Sequence, residues 1–171
     1  IYPNASIQAK ENESFYLKAL EISKEMNLGN KKRLSQWRTV YELSTNNVKS
    51  LLEKLDFKFD YYLGESDVVN ILPKFINSLK EKKLVKIDDG ALIASDDQDP
   101  PALITKSDGS YMYLTTDLGT IIYREEKFKA DKYIYVVDQR QKQHFDQLFN
   151  LINFFDLSNA SFSHVAFGTV N

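Results

Sequence analysis

Tyr113 and Asp117 stand four residues apart, Gln141 and His144 three apart, and Gly168 closes a later apolar run. These are the positions whose types and spacing chemistry can use. The stretch "YMYLTTDLG" (111–119) marks a change from a β-rich to a helical pattern, with Asp117 expected in the first helical turn. A carboxylate there faces the positive end of the helix dipole and unpaired backbone N–H groups. In a partly dry cleft such a charge needs a cation. A planar guanidinium meets both oxygens where an ammonium, a point charge, does not. Tyr113, at the expected strand end, would supply a ring wall and a hydroxyl. A plainer reading stays open, in which Asp117 caps its own helix with Thr115 or Thr116. Taken singly, His144 is an ordinary surface or core histidine, Gln141 an ordinary helix-start residue, and Gly64 and Gly168 turn glycines. The basic stretches at 30–38 and 79–86 read either as phosphate contacts or as solvated helix faces. Neither a Walker loop nor a GxGxxG is present.

The elements that must hold these residues follow from periodicity. Phe15, Ala19, Ile22 and Met26 repeat on one helical face, with Gly29 as a left-handed cap. A second helix carries Leu34, Trp37, Tyr41, Val48, Leu52 and Leu55. A third carries Ile71, Leu72, Phe75, Ile76 and Leu79, with Pro73 in its first turn and Asn70 as its cap. "FKFDYYLGES" (57–66) alternates aromatics and reads as a strand and turn. In "LVKIDDGALIA", Asp89-Gly90 between two apolar runs predicts a hairpin. "SDDQDPP" (95–101) is the expected loop or boundary. Beyond it, "ALITK", a turn at 107–109, "SYMYL", a helix from about Thr116 to Lys127, "KYIYVV", a helix from about Gln141 to Phe155 and "SHVAF" alternate strand with helix. Continuous apolar strands of this kind suggest a parallel sheet buried on both faces. In such sheets ligands bind beyond the carboxyl ends of the strands, which puts Asp117, Gln141, His144 and Gly168 on one rim.

Composition sets the outer limits. The 171 residues are 43% apolar, 13% aromatic and 27% charged, which excludes a disordered tail and leaves no run long enough to span a membrane as a helix. Without cysteine there is no disulfide or thiolate chemistry, and two histidines offer little to a transition metal. A soluble, cytoplasmic protein without a structural metal is expected. The formal charge of −2 supplies no basic field, so any nucleic-acid contact must come from a local patch. The chain opens on "IYPNAS" and stops at "FGTVN", directly after an expected strand, and so reads as an excerpt of something longer.

"SDGSYMYLTTDLG", "DKYIYVVDQRQKQHFDQLF" and "HVAFGTVN" together resemble arginyl-tRNA synthetase, a class I aminoacyl-tRNA synthetase with a Rossmann-type catalytic domain. The similarity continues upstream through "FDYYLGES", "GALIASDD" and "IYPNASIQAKENESFYLKALE", and so covers essentially the whole chain. It implies an α/β fold: the second half of a Rossmann-type parallel sheet (102–171), preceded by a helical insertion (1–56) and a small α+β connective region (57–101). It also implies that Tyr113, Asp117 and Gln141 bind the substrate arginine, and that His144, Gly168, Thr169 and Val170 lie on the ATP side. The family's HIGH-type and KMSK-type motifs are both absent, as is its anticodon-binding domain. No catalytic residue is therefore expected in this stretch, and the piece alone should be inactive. The full enzyme would use ATP as substrate with Mg²⁺ to activate arginine, then esterify its tRNA, which it would hold mostly through domains missing here. A monomer is expected. The rival reading is a nucleotide-binding Rossmann-like module of other function.

Overall fold

The computed structural model describes residues 2–27, 29–96, 98 and 100–168, Asn27 by its backbone alone. They form two compact units divided between Tyr61 and Tyr62.

The first unit is helical: α1 (Tyr2–Glu11), α2 (Glu13–Asn27) and α3 (Lys31–Lys54). Asn12 Oδ1 accepts the Phe15 N–H, and Asn30 Oδ1 accepts the N–H groups of Lys32 and Arg33, satisfying donors that a helix start leaves orphaned. Gly29 has φ +79°, the left-handed conformation that ends α2. Trp37 and Tyr41 stack one turn apart, centroids 5.2 Å. No described residue of this unit is buried, so its apolar helical faces remain largely exposed. The expected strand at 57–66 is not formed. Residues 57–64 lie outside helix and strand, and Glu65–Asp67 make a single 3-10 turn. Aromatic alternation favours a strand only where a neighbouring strand can pair with it. Among the described residues, none pairs with this one.

The second unit holds α4 (Leu72–Glu81), β1 (Val85–Asp88), β2 (Ala91–Ala94), β3 (Leu103–Thr105), α5 (Tyr113–Phe128), β4 (Lys132–Asp138), α6 (Lys142–Phe154) and β5 (Ser161–Phe167). Helix α4 starts at Leu72 with Pro73 in its first turn, but Asn70 belongs to a preceding 3-10 turn and Ile71 is the cap residue. Asp89 (φ 49°) and Gly90 (φ 78°) make the tight turn joining β1 to β2, as the Asp-Gly pair requires. β3 joins that hairpin as a third antiparallel strand rather than entering the parallel sheet. The parallel pair is β4 and β5, in register from Lys132 opposite Ser161 to Asp138 opposite Phe167. Helices α4, α5 and α6 and the antiparallel sheet close on one core, which includes Phe75, Leu79, Ile104, Leu118, Leu148 and Phe155.

"SYMYL" is not a strand: Tyr111 makes one bridge to Thr105, Met112 is the extended cap residue, and α5 begins at Tyr113. Tyrosine and threonine favour strands, but Leu114, Leu118 and Ile121 sit at helical spacing and are all buried, and burial outweighs local propensity. The two threonines find helical uses. Thr115 Oγ1 donates to the Ile104 carbonyl of β3, and Thr116 Oγ1 donates back to the Tyr113 carbonyl.

Gly119 fixes how closely α5 can approach the chain segment at Leu72. A Cβ on it would stand 2.5 Å from Leu72 Cδ2, so the end of this fully buried side chain would have to shift. Overpacking costs about 1–3 kcal/mol and alanine returns about 0.5–1 kcal/mol of helix propensity. Gly119→Ala is accordingly expected to lower stability by about 1–2 kcal/mol in urea unfolding, and an unchanged or raised midpoint would show that the contact gives way freely.

Candidate functional site

Asp117 is the fifth residue of α5, so it lies in the second turn and not the first. It neither caps the helix nor meets its orphaned N–H groups. Its partner comes from the next helix: Asp117 Oδ2 is 2.6 Å from His144 Nε2, across 27 residues of sequence. Both side chains are about one-third exposed, at 35% and 30%. The meeting follows from two apolar stripes. Asp117 immediately precedes buried Leu118 on α5, and His144 immediately precedes buried Phe145 on α6. Each polar residue therefore flanks the stripe by which its helix joins the common core, and α5 packs against α6.

The surroundings fix His144 from below. Its ring meets Phe145 edge-on at 5.3 Å, and Phe145 packs in turn on Tyr135 at 4.9 Å and on His164 at 5.1 Å. Burial pushes the Tyr135 hydroxyl up to about 12; Arg124 pulls it down and the Asp117 carboxylate pushes it further up. Arg124 Nη1 donates to that hydroxyl at 3.2 Å, with its guanidinium 5.6 Å from the ring centre. Asp117, His144, Tyr135 and Arg124 thus share one polar neighbourhood above an aromatic floor.

Tyr113 lies one helical turn from Asp117 on the same face of α5 and is 75% exposed. It lines a cleft of about 270 Å³ with Glu65, Lys106, Tyr111, Met112 and Thr116. Gln141 is exposed at the cap position of α6, one turn before His144. Gly168 follows β5, where a Cβ would lie 3.9 Å from Gln139 Nε2, so no described protein atom requires glycine there. Thr169 and Val170 lie outside the described residues. Asp138 and Phe167 end the two parallel strands side by side, so the 139–141 turn and Gly168 share the carboxyl rim. At that rim Asp138 accepts the Arg140 N–H at 2.8 Å and clasps its guanidinium through both oxygens at 2.9 Å. That clasp holds the Asp138 carboxyl below the usual carboxylate range and the Arg140 guanidinium above its own. Among the described residues, no group of three or more His, Cys, Asp or Glu is placed to hold a metal ion.

Sequence reasoning passed over Glu65, Tyr135, Arg124 and Asp138. Glu65 stands in "LGES", where the aromatic alternation and glycine read as a strand and turn and give its acid no distinguishing signal. The Asp138-x-Arg140 spacing was a legible signal, since an aspartate commonly bonds its own backbone two residues on.

Residues 1–171 match the family described as tRNA synthetases class I (R), catalytic domain. The arginine–tRNA ligase of Francisella tularensis subsp. novicida (strain U112) is 35% identical over 175 residues, covering 100% of this chain and 30% of that protein. The arginine–tRNA ligase of Agathobacter rectalis is 34% identical over 179 residues, again covering 100% and 30%. The chain therefore spans about 30% of the length of these curated relatives. Among solved structures, arginyl-tRNA synthetase from Plasmodium falciparum superposes with a TM-score of 0.79 at 30% identity, over 91% of this chain and 28% of that one. A putative arginyl-tRNA synthetase from Campylobacter jejuni gives 0.64 at 18% identity over 87% and 35%, a likeness of fold alone. With a match running the full length of the sequence, the chain belongs to the arginyl class I tRNA synthetases, in the family's catalytic domain.

Proposed function

We propose that the protein carrying this chain activates arginine with ATP and transfers it to its tRNA, and that residues 62–171 supply its arginine pocket. The observation that carries this reading is the Asp117 carboxylate, fixed through one oxygen by His144 and one helical turn from the exposed Tyr113 ring. A carboxylate offers about four lone-pair sites, so the histidine leaves enough for a two-pronged guanidinium. Tyr113 would pack along the arginine side chain, and Gln141 would add a hydrogen bond. Glu65, in the cleft that Tyr113 also lines, adds a second negative charge that suits a cationic substrate.

ATP would bind at the carboxyl rim of β4 and β5, with Gly168, Thr169 and Val170 on its side and His144 between the two substrates. Mg²⁺ would come with the nucleotide. In such adenylyl transfers the work is positioning and charge stabilisation rather than proton transfer, so the stretch that sets specificity need not hold the phosphate-binding motifs. In this reading β4, α6 and β5 belong to the second half of a Rossmann-type sheet, with the helical region 1–56 and the connective region 57–101 as insertions before 102–171. The open apolar face of β4 and β5, which exposes Ile134, Val136, Val165 and Phe167, supports a sheet that further chain covers on this face. The enzyme would work as a cytoplasmic monomer and hold its tRNA mostly through other domains. Among the described residues, no helix is long and apolar enough to cross a membrane.

ATP–pyrophosphate exchange tests the proposal. The intact enzyme is expected to exchange in the presence of arginine and its tRNA and to ignore lysine, whereas residues 1–171 alone make no adenylate. Exchange driven equally by lysine would overturn the pocket, and arginine-dependent exchange by the isolated chain would overturn the division of labour.

A further inference from the structure

We infer that His144 is a positioning residue for amino-acid recognition: its Nε2 holds one oxygen of Asp117 so that the rest of the carboxylate faces the substrate cation. The inference rests on the proposal that Asp117 binds the guanidinium, and it gives His144 a task on that side of the site. Aspartate has a broad terminal torsion, so an unanchored carboxylate samples many orientations. A two-pronged contact with a flat fork tolerates few of them. Asp117 is one-third exposed, and His144 at 2.6 Å is the partner that sets its plane. The imidazole itself is set by the buried Phe145 ring, to which it stands edge-on. The arrangement is therefore a supported one: Phe145 in the core, His144 on Phe145, Asp117 on His144.

The test uses the intact enzyme in arginine-dependent ATP–pyrophosphate exchange, with His144→Phe and His144→Gln. Phenylalanine keeps the ring edge against Phe145 and removes the ring nitrogens; glutamine places an amide N–H at a reach similar to Nε2. A hydrogen bond to a charged group is worth about 1.5–3 kcal/mol, or roughly 10- to 100-fold. His144→Phe is expected to raise the KM for arginine about tenfold, at the lower end of that range. The rise in the KM for arginine should exceed any change in the KM for ATP or in kcat, and His144→Gln should recover most of the loss. In an Asp117→Asn background His144→Phe should add little further, because the group it positions is already altered. A phenylalanine variant with unchanged arginine KM overturns the inference, as does a rise confined to the KM for ATP. A glutamine variant as impaired as phenylalanine, with an unshifted urea midpoint, also overturns it. If Asp117→Asn leaves arginine KM unchanged, the pocket assignment itself fails; if Asp117→Asn is severe and His144→Phe silent, only the positioning role fails.

Discussion

Asp117→Asn is expected to raise the arginine KM of the intact enzyme about a hundredfold. The amide removes the negative charge and replaces one acceptor oxygen with a donor. His144 then forces a choice. If the amide oxygen turns to accept from Nε2, the NH₂ group points at the guanidinium, donor against donor. If the amide turns over to serve the substrate, the NH₂ group faces His144 instead. Losing two charge-assisted bonds at about 1.5–3 kcal/mol each, with partial recovery through the remaining oxygen, leaves roughly 3 kcal/mol or more. At 1.4 kcal/mol per tenfold that is about two orders of magnitude. Arginine-dependent exchange at varied arginine concentration measures it. A KM within threefold of the parent would remove the physical basis for guanidinium recognition here and leave only family likeness.

Leu148→Ala should be strongly damaging for folding. Leu148 is fully buried on α6, one turn beyond His144, in the core that also takes Leu118, Leu151 and Phe155. Leucine-to-alanine changes at such sites cost about 2–5 kcal/mol, the transfer term plus the cavity left behind. Domains carry only about 5–15 kcal/mol in all, so a sizeable fraction of the total is at stake. Leu43 on α3, 61% exposed, is the control: its change to alanine should fall within about 0.5 kcal/mol. Urea denaturation with an unchanged m-value reads both. Equal midpoints for the two variants would mean that the α6 core does not limit stability.

Several elements were legible because they depend on the chain's own neighbours. The 3.6-residue repeats of α2, α3, α4 and α6 gave their positions to within a few residues, and Asp89-Gly90 fixed a turn that only a left-handed pair can make. The apolar runs at 132–137 and 163–167 lie within the parallel pair β4 and β5. The errors share one cause. Residues 57–66 have strand composition without a partner strand, "SYMYL" has strand composition but a helical burial stripe, and "ALITK" is a strand whose partner turned out to be the hairpin. In each case the outcome was set by which neighbour the fold supplied.

Sequence by itself determined the residue types available for recognition, an acid and a tyrosine one turn apart on what becomes α5, together with the likeness of the whole chain to its family. Only the tertiary structure decided what the acid does. Starting α5 three residues early carried Asp117 out of the first turn, away from the helix end. Packing α5 and α6 into one core then set it against His144, 27 residues further along the chain. Local pattern records which face of a helix is apolar; which polar groups meet across two such faces depends on how the helices pack, and no spacing within one helix encodes that.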